Sequence, residues 1–126
     1  MIRLADYIAD VVARSGVTQV FMVTGGGAMH LNDAFSRHQD LATLCMHHEQ
    51  ACAMAGEGYA RVAGKMALVN VTTGPGGLNA LNGVFGAYTD SVPMLVVSGQ
   101  VKRETFVGNQ PLSLRQLGDQ EVDICA

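Results

Sequence analysis

Met66-Ala67-Leu68-Val69-Asn70-Val71-Thr72 runs directly into Thr73-Gly74-Pro75-Gly76-Gly77. The first seven residues form a nearly continuous apolar run, with no alternation of polar and apolar positions. Such a strand is buried on both faces, which is the condition of a parallel sheet covered by helices. The same pattern recurs on either side. Downstream, a small-residue helix is predicted over 77–88, followed by the apolar strand Pro93-Met94-Leu95-Val96-Val97-Ser98. Upstream, alanine-rich residues 49–62 are a strong helix former closed by Gly64, and Leu41 to Met46 reads as a short strand. Residues 28–38 suit a helix with Leu31, Ala34 and Phe35 on one side, and Thr18 to Val23 form a β-rich run. Residues 4–15 read as an amphipathic helix with Leu4, Ile8, Val11 and Val12 inward, stopped by Gly16. Strands alternating with helices predict an α/β fold, a parallel sheet with helices on both faces.

The chain has 126 residues, enough for one domain. Residues 100–118 are polar and read as a surface loop. Asp119 to Ala126 then begin an element and stop on Ile124-Cys125-Ala126 without a cap. The domain is therefore expected to be incomplete, part of a longer chain. Eight Lys and Arg against eleven Asp and Glu, with no basic run, leave nucleic-acid binding without its electrostatic footing. No apolar stretch approaches the roughly 18 residues of a membrane span. The start lacks a secretory pattern, and the three cysteines, Cys45, Cys52 and Cys125, form no C-x-x-C pair, so a cytoplasmic location is expected.

Fifteen glycines, about twice ordinary usage, cluster at Gly25-Gly26-Gly27 and Gly74-Pro75-Gly76-Gly77. In an open parallel sheet, ligands sit beyond the carboxyl ends of the strands. The loop after the first strand, the turn His47-His48-Glu49 and the loop after the third strand all converge there. Glycine there brings backbone close to a ligand, or is simply common in β–α turns. The phosphate templates fail: G-x-x-x-x-G-K-[ST] is absent, and G-x-G-x-x-G requires glycine where His30 stands. Glu49 begins a helix beside this crevice. It reads either as a carboxylate on the helix dipole or as one in a low dielectric, sharing a hydrogen bond with a ligand ring. Glu57 and Arg61, four apart, suit a solvated ion pair. His30, His38, His47 and His48 have no zinc spacing, so no metal ligand is assigned.

Several of these segments are familiar together. His48-Glu49-Gln50-Ala51, Gly58-Tyr59-Ala60-Arg61, Thr72-Thr73-Gly74-Pro75-Gly76-Gly77-Leu78-Asn79, Asp90-Ser91-Val92-Pro93-Met94 and Gly99-Gln100 resemble the N-terminal pyrimidine-binding domain of thiamine diphosphate enzymes, in order and spacing. The similarity is to the acetolactate synthase branch and runs from about Leu4 to the end.

The resemblance implies the thiamine diphosphate-binding fold, with Glu49 as the catalytic glutamate that hydrogen-bonds N1′ of the aminopyrimidine and stabilises its imino tautomer. Val23, Thr24, Gly25, Thr72, Gly74, Pro75 and Asn79 would line the cofactor, and Gln120 would face cofactor and substrate. It further implies a 2-oxo acid substrate, decarboxylation with carboligation, and a homodimer or homotetramer with the cofactor at the subunit interface. Mg²⁺ and the diphosphate would be held by a domain outside this chain, since no Gly-Asp-Gly…Asn motif occurs; alone, the chain should bind cofactor weakly or not at all. Thr24 stands where the branch usually has proline, and Asp119 where pyruvate-condensing synthases commonly carry an aromatic residue. Residues 101–118 lack the histidine pair of the related decarboxylases. Two rival readings are a subunit of a two-subunit 2-oxo acid decarboxylase and a non-catalytic ligand-binding or assembly module.

Overall fold

Strand β3 (Ala67–Val71) is buried at all five positions, as its apolar run requires. The computed structural model describes residues 1–101. Before β3 come helix α1 (Leu4–Arg14), strand β1 (Gln19–Met22), a 3-10 turn (Gly26–Ala28), α2 (Met29–Arg37), β2 (Ala42–Cys45) and α3 (Glu49–Ala63). After it come α4 (Pro75–Thr89) and β4 (Met94–Ser98). The strands are all parallel, in the order β2-β1-β3-β4. This is the expected α/β architecture.

Alternation along the strands divides the core in two. Val20, Met22 and Leu68 face Ala9, Val12, Ala34 and Phe35 of α1 and α2. Phe21, Ala67, Val69 and Val71 face Cys52, Ala53 and Ala80 of α3 and α4. The chain moves from β1 outward to β2, then back past β1 to β3. Right-handed crossovers in opposite directions must lie on opposite faces, which separates α2 from α3. The switch in direction opens a crevice between the carboxyl ends of β1 and β3.

Three local readings change. Strand β2, expected to be covered on both faces, is an edge strand with Leu44 and Cys45 exposed. In α1, Leu4 and Val11 lie outward while Ala9 and Val12 are buried: short side chains allow α1 to lie close to the sheet. Helix α4 begins at Pro75, two residues before the expected start. Proline is favoured in the first turn because its missing N–H would have no intrahelical partner there. Gln120 and the segment 119–126 lie outside the described residues.

Helices α3 and α4 bury mainly small residues: Cys52, Ala53, Gly56 and Ala60 in the first, and Gly76, Ala80, Gly83 and Ala87 in the second. A Cβ added at Gly83 would stand 2.5 Å from Ala53 Cβ and 2.6 Å from its carbonyl carbon, so the helices would have to separate. Gly58, also in α3, has open space at the same place. On the other face, Asn70 Nδ2 donates to Asn32 Oδ1 of α2 at 2.5 Å. Asn70 is fully buried, and its Oδ1 has no hydrogen-bond partner among the described residues.

Two outcomes are expected from this packing. Gly83→Ala should lower stability in thermal unfolding by about 2 kcal/mol through overpacking, whereas Gly58→Ala should raise it by about 0.5–1 kcal/mol. Burial first, and then the nearby charges of Glu49 and Cys45, push the Cys52 thiol up to about 11. Its reactive thiolate is therefore scarce at neutral pH. Alkylation of the folded protein at pH 8, read by peptide mass spectrometry, should label exposed Cys45 and spare Cys52.

Candidate functional site

The crevice is built around one threonine. Thr72, the first residue beyond β3, directs its side chain toward the loop that follows β1. Gly27 N–H donates to Thr72 Oγ1 at 3.1 Å. A Cβ on Gly25 would stand 2.5 Å from Thr72 Cβ, and one on Gly76 would stand 2.7 Å from Thr72 Cγ2. Glycines from two loops thus close around this side chain, and any larger residue would push them apart. The chain leaving β4 joins the same cluster. Gly99 lies against the backbone of Gly27 and Ala28, too close for a Cβ at Gly99, and Ser98 Oγ donates to Thr72 O at 3.2 Å. Thr73 Oγ1 donates to Gln100 Oε1 at 2.9 Å, which also accepts from Val101 N–H at 2.7 Å.

Glu49 reaches this cluster from the other side. It is the first residue of α3, near the positive end of the helix dipole. Its Oε2 accepts from Asn79 Nδ2 of α4 at 3.0 Å. Its Oε1 lies 3.5 Å from where a Cβ on Gly76 would be. The absent side chain at Gly76 therefore leaves room at the carboxylate. Gly74, with φ +70°, turns the chain from β3 into α4; an L side chain rarely adopts that backbone conformation. His48 caps α3, its Nδ1 accepting from Gln50 N–H at 3.1 Å.

The fold thus brings Gly25, Glu49, Thr72, Gly74 and Asn79 together, with Pro75 exposed at the start of α4. Val23 packs against the core under α3 and α4, and Thr24 is exposed. Glu49 is half-buried, so the dry surroundings expected of it are not supplied by the described residues. Gly76 and Gly27 were not singled out as site residues, although the glycine clusters contained them. The Asn79–Glu49 bond had no signal in the sequence, because the partners are thirty residues apart. The four-spaced pair Glu57 and Arg61 is present at 2.6 Å, and Asp90 joins it as a third member.

Elsewhere, an apolar groove of about 450 Å³ between α1 and α2 is lined by Arg3, Leu4, Ala5, Ile8, His30 and Leu31. Its arginine is committed to Asp6 and Asp33. It lacks convergent polar groups, unlike the crevice around Thr72 and Glu49. Among the described residues, no three His, Cys, Asp or Glu gather as a metal centre requires. No helix there is long and apolar enough to cross a membrane.

Comparison with known proteins agrees with this geometry. The family model for the thiamine pyrophosphate enzyme N-terminal TPP-binding domain matches residues 2–125; thiamine pyrophosphate is another name for thiamine diphosphate. The acetolactate synthase large subunit of Haemophilus influenzae is 41% identical over 97 residues, which are 77% of this chain and 17% of that protein. The chloroplastic acetolactate synthase of Arabidopsis thaliana is 38% identical over 99 residues, 79% of this chain and 15% of that one. A chloroplastic acetolactate synthase of Brassica napus is likewise 38% identical, over 79% of this chain and 16% of its own length. The chain spans about a sixth of the length of these relatives. With a parallel α/β sheet, a glutamate at its crevice and a family match over residues 2–125, the chain belongs to the thiamine pyrophosphate enzymes, as their N-terminal TPP-binding domain.

Proposed function

We propose that this chain is the pyrimidine-binding half of a thiamine diphosphate-dependent enzyme that decarboxylates a 2-oxo acid and transfers the remaining unit to an acceptor, as acetolactate synthases do. The observation that carries the reading is the carboxylate of Glu49, with one oxygen bonded to Asn79 and the other opening over the space left by Gly76. An amide donor on Oε2 orients the carboxylate while leaving Oε1 for one further hydrogen bond. That is the arrangement required to share a proton with a single ring nitrogen. The glycines packed around Thr72 keep neighbouring backbone close and side chains out of the way, which suits a flat ring.

When bound, the cofactor supplies the electron sink on which a 2-oxo acid loses carbon dioxide. The protein's part is positional and electrostatic. Glu49 holds a proton at the pyrimidine N1′; Asn79 fixes the Glu49 rotamer. Val23, Thr24, Gly25, Thr72, Gly74 and Pro75 shape the wall beside it, and Gln120 is assigned to the substrate side. Mg²⁺ and the diphosphate are assigned to a domain outside this chain. In this reading the domain is one part of a longer polypeptide, at work in the cytoplasm. The openness of Glu49 supports a site completed by a second subunit, in a homodimer or homotetramer. On α4, Phe85 and Tyr88 are 72% and 81% exposed, one turn apart, and offer an apolar face to such a partner.

In the complete enzyme with cofactor and magnesium, Glu49→Gln should slow exchange of the thiazolium C2 proton by about 10²-fold or more, followed by proton NMR in deuterated buffer. Unchanged exchange would remove Glu49 from this role. Gly76→Ala places a methyl group between Thr72 and Glu49. It should weaken thiamine diphosphate binding by about tenfold in calorimetry, on the order of 1.4 kcal/mol, with the circular dichroism spectrum retained. A complete protein that binds no thiamine diphosphate in the presence of magnesium would favour a non-catalytic module.

A further inference from the structure

Helix α3 is capped differently from the other α-helices described. Helices α1, α2 and α4 have no side-chain cap bond at their N-termini. Helix α3 has one, from His48 Nδ1 to Gln50 N–H at 3.1 Å. Capping is ordinarily done by Ser, Thr, Asp or Asn, whose oxygens accept at any neutral or mildly acidic pH. An imidazole nitrogen accepts only while it carries no proton. The acceptor role at Nδ1 therefore puts the proton of the neutral ring on Nε2. The residue between the cap and the N–H it binds is Glu49, so this one bond closes the half-turn from which the Glu49 carboxylate reaches Asn79.

We infer that His48 is a positioning residue: its neutral imidazole holds the first turn of α3, and with it Glu49, and protonation releases that turn. The inference deepens the reading of Glu49 as the proton-holding group of a thiamine diphosphate site, and rests on it. On protonation, Nδ1 becomes a donor facing the Gln50 donor, and the bond is lost. The imidazolium also lies at the positive end of a helix dipole, where a cation is unfavourable. Its nearest carboxylate in sequence is Glu49, so the released ring has an alternative partner in the very group that must be kept free.

Among the described residues, few other titrating groups surround the cap. His47 precedes the cap, and Cys52 lies one turn on, its N–H donating to the His48 carbonyl. Of the elements packed on α3, strands β1, β3 and β4 carry no titratable side chain, and α4 carries Tyr88 alone, at its far end. Cys45 closes β2, just before the turn. Among the described residues, a pH-dependent change in the Gln50 N–H therefore points to His48, His47 or Glu49, and substitution separates them.

The test uses the intact protein and two readouts. Without cofactor, the ¹⁵N-labelled Gln50 amide should shift and lose exchange protection as the pH is lowered from about 7.5 to 5.5. In His48→Asn, a cap that does not titrate, the amide should stay constant. With cofactor and magnesium, C2-proton exchange in the wild type should fall about fivefold further than in His48→Asn between pH 7.5 and 5.5, the weight of one cap. His48→Ala should be slow at both. An acid loss common to wild type and His48→Asn is not assigned to the cap; only the difference between them is. A Gln50 amide that ignores pH, or a His48→Asn variant with the wild-type acid loss, overturns the inference. A Gln50 amide that titrates while Glu49→Gln leaves exchange unchanged supports the cap and sinks the cofactor reading instead.

Discussion

The contact between Thr72 and the glycines of two loops is the constraint on which the crevice depends. Strands β1 and β3 are neighbours, and their following loops leave toward opposite faces of the sheet. Left alone, those loops would diverge and leave backbone groups exposed at the switch point. The Gly27 N–H bond to Thr72 Oγ1 ties them together, and Gly25 and Gly76 lack the side chains that would prevent the approach. Gly99 brings the end of β4 onto the same backbone. One hydroxyl-bearing side chain thereby ties the ends of β1 and β3, and the end of β4 is seated on the same loop backbone.

Glu49 inherits its position from a second, independent contact. It stands on α3, while its partner Asn79 stands on α4, and the distance between those helices is set by alanine and glycine. At Gly83 the helices are too close for even one extra methyl group. The 3.0 Å bond between Asn79 and Glu49 is therefore a consequence of packing one helical turn further along both helices. Interiors pack densely and transmit displacement, so a change in the middle of α4 acts on the carboxylate at the start of α3. Stability and site geometry share the same residues here.

The sheet was legible in the sequence because continuous apolar runs have few alternatives to a buried parallel strand. The helix boundaries were less so. Gly74-Pro75-Gly76-Gly77 has the composition of a loop, yet three of its residues open α4, since proline and glycine are disfavoured inside a helix and tolerated in its first turn. Leu44 shows another limit: an apolar residue on a strand says nothing about whether that strand is central or at an edge. Of the site, Glu49 could be singled out from its position between strand and helix, and its role came from the resemblance. Its partner, the space over Gly76 and the His48 cap could not be read, because each depends on contacts that form only when distant segments fold against one another.

The Asn70–Asn32 pair bears on how the chain avoids a wrong fold. On a face otherwise built from apolar side chains, helix α2 could slide by a turn and still bury oil against oil. The two amides make such slippage expensive. Each buried amide stripped of its partner costs about 1–3 kcal/mol, and among the described residues Asn70 already carries one unanswered acceptor. The pair works as a registration pin that gives up some cohesion to make a single seating of α2 distinguishable from its near copies. Because α2 starts where the Gly25–Gly27 loop ends, that pin also decides where the loop arrives.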